Sequence, residues 1–304
     1  MVGILDGKVV VVTGAGRGIG REIALLCAHE GAAVVVNDVG VSASGEGSDA
    51  GPAHQVVDEI KNAGGRAIAN IASVTDPAGA ESIVEDGIRV FGHVDAVVNN
   101  AGILRDRIFH KMSVADWLAV VDVNLNGYFY VSKAAANHFR ERESGSYVHF
   151  TSASALIGNY GQANYSAAKL GVVALSNSIA LDMQRFRVRS NCVMPFAWSR
   201  LTATIPTDTD DGRRRVEKVK AMTPAKVAPL VAFLCADASK DITGQVFALR
   251  KDELFLMSRP EIVRSMHRAG GWTVESLIQC MHPAFKPSFQ PLRRSGDVFS
   301  WDPL

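Results

Sequence analysis

Four consecutive valines run directly into a glycine-spaced turn at the start of this chain, KVVVVT followed by GAGRGIG over residues 8–20. This junction limits the possible folds more than any other feature of the sequence. A continuous β-branched run has no polar side to turn toward water, so residues 8–13 predict a strand covered on both faces. Such strands belong to parallel sheets, whose crossover helices supply the cover. Residues 18–30 predict the first of those helices, with its N-terminus at the glycine turn.

The alternation continues along the chain. Residues 33–38 (AVVVND) predict a second strand, 55–63 a helix, 66–71 a third strand, 78–91 a helix and 94–99 (VDAVVN) a fourth strand. A long helix over 115–139, a fifth strand over 147–151 (YVHFT), a helix over 165–183, a sixth strand over 188–193 and a seventh over 245–249 complete the pattern. Right-handed crossovers turn this order into an α/β, doubly wound parallel sheet of seven strands with helices on both faces. Residues 40–52 (GVSASGEGSDAGP) break the rhythm and predict a long surface loop.

Composition excludes several function classes. With 47% apolar residues a sizeable core is possible, and a net charge of +1 without a basic stripe argues against nucleic acid or an anionic membrane as partner. The run at Arg213, Arg214 and Arg215 reads as a solvated loop face. Cys27, Cys192, Cys235 and Cys280 are far apart and form no CxxC pair, so neither a metal nor a disulfide is expected. The opening residues lack a basic n-region, and no apolar run is long enough to span a membrane; a soluble, cytoplasmic protein is expected.

In the turn, Gly14, Gly18 and Gly20 let backbone approach a pyrophosphate while the following helix points its N-terminus at the negative charge. Asp38 closes the second strand, where a carboxylate can accept hydrogen bonds from ribose hydroxyls and repel the extra phosphate of NADP. Arg17 pulls the other way, because a guanidinium could pair with that phosphate. The balance favours NAD as cofactor. Asn99-Asn100-Ala101-Gly102 follows the fourth strand at the end where the ligand crevice of such a sheet lies, and Asn100 can fix backbone there.

Tyr165 and Lys169 lie four apart in YSAAK, one helical turn from each other. A free phenol, with a pKa of about 10, is too weak an acid for efficient proton transfer at neutral pH. A nearby ammonium favours phenolate, so the pair is a candidate general acid/base. Ser152, just after the fifth strand, could hold a substrate oxygen opposite the tyrosine, and Ser154 competes for that role. Asn124 falls inside the long helix, an unfavourable place for a buried Asn unless it holds water or backbone.

Together, TGAGRGIG, NNAG, Asn124, Ser152 and Tyr165-xxx-Lys169 resemble the short-chain dehydrogenase/reductase family, from about residue 7 to about 249. The resemblance selects Ser152 over Ser154 and implies a Rossmann-type fold. It implies that Ser152 polarises the reacting oxygen, Tyr165 exchanges its proton, Lys169 holds the nicotinamide ribose and lowers the tyrosine pKa, and Asn124 holds a water. Gly14, Arg17, Gly18, Ile19, Gly20, Asp38, Ser73, Val74, Asn100, Ala101, Gly102, Tyr165, Lys169 and Pro195 are the implied cofactor contacts. The implied division is a dinucleotide-binding catalytic domain over 1–250 and a C-terminal extension over 251–304, a packing or oligomer arm. A homodimer or homotetramer is expected.

VVVNDVG, NAGILRDR, GNYGQANYSAAKLG and TPAKVAPLVAFL are similar to the 3-hydroxyacyl-CoA dehydrogenase region of peroxisomal multifunctional β-oxidation enzymes and their bacterial relatives. That resemblance implies a 3-hydroxyacyl-CoA substrate; a free alcohol, ketone or steroid, and a non-catalytic NAD-binding sensor, are the alternatives. The chain departs from that branch at Phe196 and Trp198, where Asn and a small residue are usual. Ala72-Ser73 replaces an acidic residue, and Leu249-Arg250-Lys251-Asp252 replaces a closing Asp-Gly-Gly. Residues 201–223 are expected to form a lid over the substrate.

Overall fold

In the computed structural model, residues 3–47, 49–197, 217 and 220–304 are described. Trp198, the arginine run and nearly all of the expected lid lie outside them. The elements follow in the order β1 (Val9–Thr13), α1 (Gly18–His29), β2 (Ala33–Asn37), α2 (Gly51–Asn62), β3 (Arg66–Asn70), α3 (Pro77–Phe91) and β4 (Ala96–Asn99). Then come α4 (Val114–Val121), α5 (Gly127–Arg142), β5 (Gly145–Phe150), the short α6 (Ala153–Leu156), α7 (Ala163–Met183), β6 (Val188–Phe196), α8 (Ala228–Cys235), β7 (Val246–Arg250) and β8 (Glu253–Leu256).

The strands form one sheet in the order β3-β2-β1-β4-β5-β6-β7-β8. The valine run of β1 serves both faces: Val10 and Val12 join one core with α1, α2 and α8, and Val9 and Val11 join the other with α3 and α5. Side chains alternate along a strand, so an all-apolar sequence is what two covered faces require. Strand order reverses on either side of β1, which places a crevice at the carboxyl ends of β1 and β4.

Two expectations are corrected. The sheet has eight strands, not seven, because β8 returns antiparallel to β7, with Leu254 opposite Leu249. The connecting turn places Lys251 at φ 56, a conformation usually given to Gly or Asn, so the sequence carried no hairpin signal there. The expected boundary at residue 250 thus falls inside a hairpin. The long helix expected over 115–139 is present and continuous, but it is not regularly α-helical: a wider, π-type turn falls at Asp122–Asn126. Asn124 sits in that turn, and its side-chain amide donates to the carbonyls of Val120 and Ile103, each at 3.0 Å. The side chain takes up a carbonyl within the wide turn, where the regular helical ladder is interrupted, a device frequent at functional sites. Among the described residues no helix is long and apolar enough to cross a membrane.

Candidate active site

The glycine turn makes a cradle. Gly14 has φ 64 and Gly18 φ 56, both in the left-handed region. A Cβ on Gly14 would come within 2.8 Å of the Ala101 Cα, and one on Gly20 would reach 2.2 Å from the Gly14 carbonyl oxygen. Gly20 therefore lets α1 seat against the turn, and it does not itself line the cavity beside it. Asn100 sews the turn to the end of β4: its amide donates to the carbonyls of Thr13 and Gly14, each at 3.0 Å. Arg17, the N-cap of α1, makes no side-chain capping bond. The first N–H groups of α1 are thus left for a ligand.

Beside the cradle lies a cavity of about 370 Å³ whose walls include Arg17, Ile19, Asp38, Ser73, Val74 and Ala101. Asp38 is clamped, Oδ2 accepting from Gly16 N at 2.8 Å and Oδ1 from Gly40 N at 2.7 Å. Arg17 lies 3.6 Å from Asp49, so its charge is already partly answered. An open helix N-terminus, glycines that admit close backbone approach and a fixed carboxylate fit a dinucleotide, with pyrophosphate on α1 and ribose toward Asp38.

A second cavity, of about 880 Å³, shares Ile19, Asn100 and Gly102 with the first. Asn124, Ser152, Tyr165, Lys169 and Pro195 line it. The two serines separate on their partners. Ser154 Oγ donates to Gln162 Oε1 at 2.5 Å and accepts from Asn159 at 3.0 Å, so it serves the loop. Ser152 N-caps α6, its Oγ accepting from Ser154 N at 3.2 Å, and borders the cavity beside Tyr165, whose phenolate its hydroxyl favours. Asn124 Oδ1 is buried with no hydrogen-bond partner among the described residues, an acceptor free for a donor in this cavity. A Cβ on Gly102 would lie 2.7 Å from that oxygen, so glycine keeps the approach open.

The electrostatics depart from the sequence expectation. Tyr165 borders the cavity yet is densely surrounded, and that burial pushes its phenol up to about 12; the Ser152 hydroxyl opposes this and the Asp106 charge adds to it. Lys169 is buried, and burial pulls its ammonium down to about 7. Its Nζ lies 5.7 Å from the Tyr165 ring centroid and donates instead to Tyr128 Oη at 2.7 Å. The expected lowering of the phenol by Lys169 is therefore outweighed by the loss of solvent around both groups.

Sequence reasoning missed a wall of this cavity. The chain end returns from the exposed tail, and Arg294, Gly296, Phe299 and Pro303 border the cleft. Ser295 N donates to Gly158 O at 3.0 Å, tying the tail to the loop between Ser152 and Tyr165. Trp301 Nε1 donates to Glu253 Oε1 at 2.6 Å, and the buried Arg250 bonds the Trp301 carbonyl, tying it to the β7–β8 hairpin. No local signal announces this strap, because its partners lie more than 45 residues away. Tyr128, also missed, stands four residues after Asn124, a spacing that could have pointed to it.

A model of the family described as short chain dehydrogenase matches residues 8–208. A putative short-chain type dehydrogenase/reductase of Mycobacterium tuberculosis is 47% identical over 241 residues, 79% of this chain and 81% of that protein. Hydroxyacyl-CoA dehydrogenase ChsB1 of the same organism is 36% identical, covering 92% of this chain and 89% of its own. Peroxisomal multifunctional enzyme type 2 of Drosophila melanogaster is 44% identical over 78% of this chain, which spans 38% of that longer protein. Among solved structures, a short chain dehydrogenase from Mycobacterium avium aligns with a TM-score of 0.83 at 34% identity, over 96% of this chain and 99% of that one. A 7α-hydroxysteroid dehydrogenase in complex with NADH and 7-oxo glycochenodeoxycholic acid aligns at 0.73 and 28%, over 82% and 94%. Shared fold, matched motifs and a cleft that joins a dinucleotide cradle to a Ser-Tyr-Lys cluster lead to one assignment: the chain belongs to the short chain dehydrogenase family of oxidoreductases.

Proposed function

We propose that this enzyme is an NAD-dependent dehydrogenase of a secondary alcohol, with a 3-hydroxyacyl-CoA as substrate. The observation that carries the reading is the convergence of Ser152, Tyr165 and Lys169 on the wall of the cavity that opens into the dinucleotide cradle. Ser152 donates to the substrate oxygen and orients it toward the phenol. In oxidation Tyr165, as phenolate, accepts the hydroxyl proton; in reduction it returns that proton to the alkoxide. When bound, the nicotinamide ring takes or supplies the hydride, and the chain contributes alignment. Lys169 holds positive charge beside the phenol and donates to ribose hydroxyls. Asn124, through its free oxygen, holds the donor that links Lys169 to solvent.

The clamped carboxylate of Asp38 supports NAD over NADP, because a 2′-phosphate would meet a negative charge. The acyl-CoA assignment is supported by the hydroxyacyl-CoA dehydrogenase that matches over 92% of this chain. Exposed Trp117, Phe129, Leu170 and Leu181 on α4, α5 and α7 support a homodimer or homotetramer. Three buried free thiols support the cytoplasm as compartment.

The test is NADH formation with 3-hydroxyacyl-CoAs of several lengths against steroids and small alcohols, with Tyr165→Phe as control. Turnover of unacylated alcohols with none of the thioesters would overturn the substrate assignment.

A further inference from the structure

The catalytic cluster includes a second phenol. Tyr128, on α5, is 1% exposed, and Lys169, on α7, is 2% exposed. Their side chains meet with Lys169 Nζ donating to Tyr128 Oη at 2.7 Å and lying 4.3 Å from that ring's centroid. Among the described residues Tyr128 Oη is the one side-chain hydrogen-bond partner of the ammonium. The ring itself is held. It stacks with His149 at 6.2 Å and 25°, and Tyr147 also stacks with that imidazole, at 5.9 Å and 11°. Ser132 Oγ donates to the Tyr128 carbonyl at 2.6 Å, and Asn99 bonds both Ser132 Oγ and His149 Nδ1.

The groups around the ammonium explain why such a partner matters. Tyr165 faces it from α7, His149 from β5 and Cys192 from β6, with Asp106 acting on the far side, at Tyr165. Burial and the Lys169 charge pull His149 down to about 3, and burial pushes the Cys192 thiol up to about 12, so both are neutral at physiological pH. Burial also raises Tyr128 well above the ordinary phenol value. The lysine is thus buried without a contacting carboxylate among the described residues, where a charge is held best if dipoles replace the water it has lost.

We infer that Tyr128 is a positioning residue for catalysis, whose phenol oxygen anchors the Lys169 ammonium and keeps it charged beside Tyr165. One of the lysine's three N–H groups is used on Tyr128, leaving two for ribose hydroxyls. The charge retained there is proposed to add to the Ser152 hydroxyl in opposing the burial of Tyr165. The inference rests on the acid/base role proposed for Tyr165, but its primary readout does not.

The test follows Lys169 itself. The enzyme is labelled with 13Cε-lysine, the Lys169 resonance is assigned with Lys169→Met, and its titration is compared in the wild type and in Tyr128→Phe. Loss of the acceptor lowers the midpoint by about one unit, a tenfold loss of ammonium in the affected range. Identical midpoints overturn the inference, whether or not a substrate has been found. A purely structural role would move the thermal midpoint and leave the titration in place. Tyr128→Gln and Tyr128→Met, similar in bulk and differing in an acceptor, repeat the comparison should Tyr128→Phe be too unstable. The Gln variant is expected to titrate higher, and equality again overturns the inference. With a substrate in hand, the oxidation rate of Tyr128→Phe rises at higher pH than that of the wild type, and the two converge under alkaline conditions.

Discussion

Phe196, at the end of β6, and Phe299, two residues before the Trp301 that bonds Glu253, meet edge to face with ring centroids 4.8 Å apart. Phe255 of β8 closes on the same ring at 5.4 Å. Three segments distant in sequence thereby share one apolar wall of the catalytic cleft, next to the Ala153 that follows Ser152. On the proposed acyl-thioester reading, this wall is expected to limit the size of the acyl group the cleft admits.

Phe299→Ala should remove the keystone of this wall. We expect a stability loss of about 3 kcal/mol by denaturant titration, since a nearly buried aromatic is deleted. The ratio of kcat/KM for bulky over short acyl thioesters should rise by about tenfold. An unchanged ratio would show that the strap stabilises the fold without selecting substrate.

Tyr165→Phe should lower kcat by about 10³-fold and leave NADH binding intact by fluorescence titration. Ser152→Ala should lower kcat as well, because the reacting oxygen loses its donor. If NADH binding fell in parallel with kcat, the phenol would be serving the cofactor site and not the proton transfer.

Asp38→Asn keeps the shape and removes the charge. Discrimination against NADP should relax by roughly tenfold, read as the ratio of kcat/KM for the two dinucleotides. NAD binding should weaken too, as one of Gly16 N and Gly40 N would face the amide NH2 in place of an acceptor and the other would keep only a neutral one. A preference for NADP in the unaltered enzyme would refute the role given to this carboxylate.

Lys169 makes stability depend on pH. Its pKa falls from 10.5 in the unfolded chain to about 7 in the fold, so between those values the unfolded state binds the extra proton. Stability from this group therefore increases as pH rises from about 7 toward 10.5, and the burial penalty is greatest below 7. Lys169→Met should be more stable than the unaltered protein at pH 6–7 and should flatten the rise measured between pH 7 and 9 in the dinucleotide-free enzyme. Parallel stability curves for the two proteins would mean that the lysine keeps its proton throughout.

The doubly wound sheet was legible because its signals are local: apolar strands, helical periodicity and the glycine turn each report on a few adjacent residues. The Tyr165–Lys169 pair was legible for the same reason, from a spacing of one helical turn, whereas the choice of Ser152 over Ser154 and the role of Asn124 came from the family resemblance. Three features were not. Folding alone brought Tyr128 against Lys169, since α5 and α7 are separate in sequence and the phenol looks like an ordinary core residue. Burial alone set the sign of the Tyr165 shift, because desolvation depends on everything packed around a group and not on one neighbour four residues away. The chain end became a wall of the cleft only through Arg250, Glu253, Gly158 and Phe196, contacts that no periodicity encodes. Short-range propensity and pattern determine elements and candidate chemistry; long-range packing decides which distant groups share a dry space, and with it the charge and shape of the site.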